Sequence, residues 1–321
     1  MGAMGLGLAA LGRPGYINLG HGDDLENDYD IERMRARTHA VLDAALAAGV
    51  RYFDTARSYG RAEEFLANWL GARGTESDFP EVFIASKWGY TYTADWKVEA
   101  EKHEVKEHSL ENLDRQWRKS RDLLGNDLNL YQIHSATVET GVLENADVLN
   151  RLVELKQQGV QMGLSLSGPH QATALGRALE ARVDGRPVFE AVRATYNILE
   201  RGAGPALREA HDAGWKVIIK EGLANGRLTN RNNLTEDQSM VADLAEQAAR
   251  LNVSPDTLAL AFILAEPWVD IVLSGAATSE HLASNLRARE LKMEQETRDA
   301  LNRLEQSPLE YWIQRSGLAW Q

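Results

Sequence analysis

Four side chains of different chemistry, Asp54, Tyr59, Lys87 and His134, stand at or just beyond the ends of successive short apolar runs. A carboxylate, a phenol, an ammonium and an imidazole brought to one point form a proton-handling device. A free tyrosine titrates near ~10, too high for a good acid at neutrality, and an adjacent ammonium lowers that value by favouring the phenolate. Lys87 supplies such a charge, Asp54 would keep the lysine protonated and in place, and a neutral His134 could hydrogen-bond a substrate oxygen and orient it. Tyr59 then becomes the proton donor. Any one of the four alone reads more readily as a polar strand end, whereas four on consecutive strands read as chemistry. A lysine in such a place also admits a second chemistry, Schiff-base formation in a lyase through Lys87 or Lys220.

The elements that must position these groups follow from hydrophobic periodicity. Apolar runs of strand length at 4–11, 52–54, 82–87, 128–134, 160–165, 191–196, 216–220 and 270–273 alternate with segments of helical period. In the first of those helices Val41, Leu42, Ala45, Leu46 and Val50 recur at three- and four-residue steps over 34–48. Further helices are expected at 63–70, 105–124, 146–158, 171–181, 204–213, 240–249 with 255–265, and 280–289. Eight strands, each followed by a helix, predict a (β/α)8 barrel with its reacting groups at the C-terminal strand ends. Neighbouring strands lie ~5 Å apart, so the four groups can converge. A doubly wound sheet is the alternative. The stretch from Gly5 to Ala10 does match a dinucleotide fingerprint, but only four residues precede it and no acidic ribose partner follows at the right place. Its glycines, Gly7 among them, suit a first strand lying close to a flat group in the barrel mouth.

No linker, charge block or repeat divides residues 1–321, which predicts one domain carrying long loops at 88–104 and 221–239 and a C-terminal tail. Thirty-five Lys and Arg against 47 Asp and Glu leave a net charge of −12, which disfavours nucleic acid and acidic membrane surfaces. The absence of cysteine removes thiolate catalysis and Cys-ligated zinc. No run approaches the ~18 apolar residues of a membrane span, and the first residues lack a basic leader, so a cytoplasmic location is expected. Oligomeric state is not encoded in any of these features.

The segment from Asp54 through Tyr59 and Gly60, with Glu63 and Glu64, Ser86-Lys87, and Gln132-Ile133-His134, resembles the aldo-keto reductase signature in order and spacing. The resemblance runs from Gly5 through Asn285. It implies a (β/α)8 barrel that binds NADP(H) or NAD(H) at its mouth without a metal. It also implies hydride exchange between that cofactor and an aldehyde, ketone or sugar, with Tyr59 as general acid, Lys87 and Asp54 tuning it, and His134 orienting the carbonyl. By the same resemblance Ser165 and the following Leu166 hold the carboxamide, Leu166 standing where the family has Asn. Arg193 stands in place of a carboxamide-binding Gln, and Tyr196 matches a stacking aromatic. Lys220, Leu223 and Gly226 fit the loop over the pyrophosphate. Ser274, Gly275, Ala276, His281 and Asn285 fit the adenosine 2′-phosphate site, where Arg287 or Arg289 could assist; family habit favours NADP(H). Trp88 and Trp96 are candidates for an apolar wall around the carbonyl. A non-catalytic nicotinamide-binding subunit or sensor is the remaining alternative.

Overall fold

The computed structural model describes residues 2–73 and 79–321. Eight strands close into a barrel: β1 Ala3–Gly7, β2 Tyr52–Asp54, β3 Phe83–Trp88, β4 Leu128–Ala136, β5 Gln161–Leu166, β6 Ala191–Thr195, β7 Lys216–Lys220 and β8 Ile271–Ser274. They pair in parallel in sequence order, and β8 closes on β1. Around them run α1 Ile31–Ala47, α2 Ala62–Arg73, α3 Leu110–Leu124, α4 Ala146–Lys156, α5 Gln171–Glu180, α6 Gly204–Asp212, α7 Gln238–Arg250, α8 Pro255–Leu264 and α9 Ser279–Leu286. This is the expected (β/α)8 architecture.

Side-chain alternation builds the interior in layers. Tyr52, Ala85, Leu130, Ala191, Ile218 and Leu273 form an apolar plug inside the barrel. There is little room: a Cβ on Gly5 would come within 3.0 Å of Leu273 and Tyr52 side chains, and one on Gly163 within 2.9 Å of the Ala191 carbonyl. Two residues further along five of these six strands, the same inward face carries Asp54, Lys87, Gln132, Arg193 and Lys220, all buried. The polar layer therefore sits directly on the plug. Residues of the opposite parity, Phe53, Ile84, Tyr131, Ile133, Val192 and Ile219, belong to the main core beneath the helices.

Several elements depart from the sequence reading. The run 4–11 is a strand only to Gly7; Leu8, Ala10 and Leu11 are buried in a turn in which Leu11 and Gly12 N–H groups bond the Leu8 carbonyl. Burial under loops, not strand pairing, makes that run apolar. The helix expected from 105 begins at Leu110, capped by Ser109, whose hydroxyl accepts from the Asn112 N–H. Residues Glu104–Lys106 pair instead with Tyr90–Tyr92 as an antiparallel hairpin over the mouth. The tail forms α10 Gln295–Asn302 and α11 Pro308–Gly317, the latter opened by a Ser307/Glu310 capping box. Beyond α11, Gln321 exchanges backbone hydrogen bonds with Tyr16, and Trp320 stacks on His103 at 3.8 Å between ring centroids.

Candidate active site

A cavity of about 640 Å³ opens at the C-terminal ends of the strands. Tyr59, His134, Arg193 and Lys220 line one end; Ser274, Gly275, Ala276, His281 and Asn285 line the other, with Gly7, Leu223 and Gly226 between. Asp54 and Lys87 lie beneath Tyr59, fully buried. Lys87 Nζ donates to Asp54 Oδ1 at 2.6 Å and to the Thr55 carbonyl at 2.5 Å, and stands 4.8 Å from the Tyr59 ring centroid. The Tyr59 and His134 rings meet edge to face at 5.4 Å. The four residues singled out from the sequence are therefore brought together.

Backbone contact fixes the Tyr59 loop. Gly60, at φ +59°, lies so close to Gly12 that a Cβ would fall 2.3 Å from the Gly12 carbonyl, which itself accepts from the Arg61 N–H at 2.7 Å. Beneath the loop, the Glu63 carboxylate accepts from Ser86 and Ser120 and pairs with Arg57.

The electrostatics differ from the sequence expectation in two respects: the Lys87 ammonium is pushed down, and the Tyr59 phenol is raised. Burial, and next the Arg193 guanidinium, push the Lys87 ammonium down to about 7, against the pull of Asp54. Burial raises the Tyr59 phenol, and the first charge to oppose that rise is Arg193, not Lys87. Arg193 Nη2 lies 3.4 Å from Asp54 Oδ1, the oxygen that holds Lys87. Burial, together with Lys87, Arg193, Arg13 and Lys220, drives His134 well below the usual imidazole range, so it is neutral.

Three expected contacts fall on the wrong face, for one reason. Lys87 points inward, so Trp88 points outward into the core, edge-on to His108 at 5.6 Å. Ser165 points inward, its hydroxyl accepting from the Ser135 N–H at 2.8 Å, so Leu166 joins the core and Ser167 reaches the cavity. Thr195 points inward, where its hydroxyl accepts from Lys220 Nζ at 2.5 Å, so Tyr196 packs edge-on against Trp268. Trp96 also stands away from the cavity, its indole N–H bonded to the Tyr29 carbonyl at 2.7 Å. Arg289 donates to the Ala48 carbonyl, and neither it nor Arg287 lines the cavity.

Other groups line the cavity that the sequence reading did not single out. Arg13, from the turn after β1, lies over the rings of Tyr16, Tyr59 and Trp320 and pairs with Glu104 at 3.0 Å. Arg315 on α11 pairs with Glu221 at 2.7 Å. Arg231, in the long loop after β7, spans the mouth to pair with Asp24, donates to the Gly20 carbonyl and stands 3.0 Å from His281 Nε2. A lone arginine in a loop carries no sequence signal for this.

The cavity suits an elongated, anionic, hydrogen-bonding ligand. Arg193 Nε and Asn225 Oδ1 are buried in its lining without a hydrogen-bond partner among the described residues. Asn285 donates to Ser274 Oγ at 2.8 Å, which also accepts the Ala276 N–H, holding the turn before α9 open to a ligand. These features fit a nicotinamide dinucleotide. Among the described residues no cluster of His, Asp and Glu could hold a metal ion, and no helix is long and apolar enough to cross a membrane.

Fold and site together define a (β/α)8 protein with a buried cluster of ionisable side chains at its C-terminal mouth. Residues 4–306 match the model of the Aldo/keto reductase family, and the chain belongs to that family of oxidoreductases, whose members use nicotinamide cofactors. An aldo-keto reductase of Strobilurus tenacellus is 27% identical over 321 residues, covering 93% of this chain and 86% of that protein. Protein tas of Escherichia coli strain K12 is 25% identical over 313 residues, covering 83% and 88%. The holo form of an aldo-keto reductase from Bacillus halodurans shares the fold, with a TM-score of 0.72 at 21% identity over 95% of this chain and 92% of that one.

Proposed function

We propose that the protein reduces an aldehyde, ketone or sugar carbonyl, or oxidises the corresponding alcohol, with Tyr59 as the general acid and base. The observation that carries this reading is the convergence of Tyr59 and His134 at the cavity wall, above the buried Asp54–Lys87 pair. A bound reduced nicotinamide would supply the hydride. Neutral His134 offers a hydrogen bond to the carbonyl oxygen, and Tyr59 delivers a proton to it. Arg193, Arg13 and Lys87 surround the phenol and stabilise the phenolate left behind, offsetting the burial that holds its proton on. Arg193, Lys220, Leu223, Gly226, Ser274, Gly275, Ala276 and Asn285 would hold the cofactor. Arg231 and His281 at the far end support NADP(H) over NAD(H), because both can donate to a phosphate.

Titration with NADPH and NADH, followed by loss of reduced-cofactor absorbance with an aromatic aldehyde, tests this directly. Tyr59→Phe should lower kcat by about 10²–10⁴ and leave cofactor affinity unchanged; full activity in the variant would end the assignment. A Schiff-base lyase is the second reading, favoured by Lys220, which lines the cavity and is pushed down to about 8 by burial. Borohydride trapping of a carbonyl on Lys220 distinguishes it. Lys87 is a poorer candidate, since its ammonium is engaged by Asp54 and Thr55 below the cavity floor.

A further inference from the structure

The reacting end of the cavity holds more positive than negative charge. Arg13, Arg193, Lys220 and Arg315 line it and Lys87 lies just beneath. Their carboxylates are shared. Asp54 serves both Lys87 at 2.6 Å and Arg193 at 3.4 Å, and Glu221 serves both Arg315 at 2.7 Å and Lys220 at 3.6 Å. Only Arg13 has a carboxylate, Glu104, that pairs with no other of these cations. Lys220 is pushed down only to about 8 and so carries its proton at neutral pH, and Arg193 keeps its charge at all accessible pH. Charges in a poorly solvated cavity act on whatever enters it far more strongly than surface charges do.

The nicotinamide ring must lie at this end, since the proton donor does. Its two oxidation states differ in charge: the oxidised ring is a cation and the reduced ring is neutral. The phosphates and adenosine are the same in both, so whatever they contribute cancels in a comparison of the two. We propose that Arg193 and Lys220 make this site a selector for cofactor oxidation state, binding the reduced nicotinamide more tightly than the oxidised one. This inference rests on the nicotinamide reading above. In the reducing direction it means that the spent cofactor leaves readily; in the oxidising direction it means that the bound couple is drawn towards the reduced form.

Calorimetric titration at pH 7 with NADPH, NADP⁺ and 2′,5′-ADP, on the wild type and on Lys220→Met and Arg193→Gln, tests the proposal. The wild type should prefer NADPH by about tenfold, which corresponds to about 30 mV in the potential of the bound two-electron couple. Each variant should shrink that ratio several-fold. The affinity for 2′,5′-ADP, which lacks the nicotinamide, should stay constant. A wild-type ratio near one overturns the proposal without needing any variant to fold. Equal weakening of all three ligands, with the ratio preserved, assigns the two cations to the phosphates and also overturns it. Failure of both NADPH and NADP⁺ to bind refutes the cofactor reading itself, an outcome distinct from either.

Discussion

Asp54→Asn tests the charge balance of the polar layer, because one carboxylate there faces two buried cations. The substitution keeps shape and removes charge. Arg193 cannot shed its proton, so its unpaired burial should cost about 3 kcal/mol at any pH. Lys87 can shed its proton, which makes its share of the penalty depend on pH. In the wild type its folded value is about 7 and its model value 10.5. As pH falls from 10.5 towards 7 the unfolded chain takes up a proton that the folded protein refuses, and stability drops; below 7 both states bind it and the loss stops. Without Asp54, burial and Arg193 continue to exclude the proton, so the loss goes on. Between pH 9 and pH 6, one unit below the wild-type value, the variant should lose about 1.4 kcal/mol more than the wild type does. Urea midpoints of both proteins at the two pH values measure this. A penalty equal at pH 6 and pH 9 would show that Asp54 does not hold the Lys87 proton, and the electrostatic account of the site would fall.

Two further substitutions separate structure from chemistry. Arg227 and Asp237 are a buried pair bonded at 2.8 and 2.7 Å, and Arg227 also reaches Gln314 on α11. Arg227→Met should cost about 3 kcal/mol in urea denaturation, with much of it restored by adding Asp237→Leu. Trp88→Phe should lower stability by about 1–2 kcal/mol and leave the KM for an aldehyde unchanged. A raised KM would return Trp88 to the pocket wall.

The barrel and the convergence of Asp54, Tyr59, Lys87 and His134 were legible because both rest on local pattern: strand-length apolar runs for one, and polar residues ending those runs for the other. Asp54, Lys87 and His134 sit where each run stops, and Tyr59 follows on a short loop. The expected cofactor and substrate contacts were less legible, since a motif match counts residues and a cavity counts faces. Trp88, Leu166 and Tyr196 each miss by one position in an alternation of period two. A one-residue slip on a strand costs every contact. Arg13, Arg231 and Arg315 were invisible for a different reason: they come from a turn, a long loop and the tail, and only closure of the barrel brings them to one mouth.

The segment beyond α11 makes that mouth observable. Trp320 stacks face to face on His103 of the hairpin, covers Arg13 and lies on the cavity wall. An indole in van der Waals contact with an imidazole emits differently from one in water. A ligand that seats or lifts this segment therefore changes the light the protein gives off, with no label attached. In a variant where the other seven tryptophans are replaced by Phe, Trp320 alone would report in real time when a ligand changes the cover of the cavity.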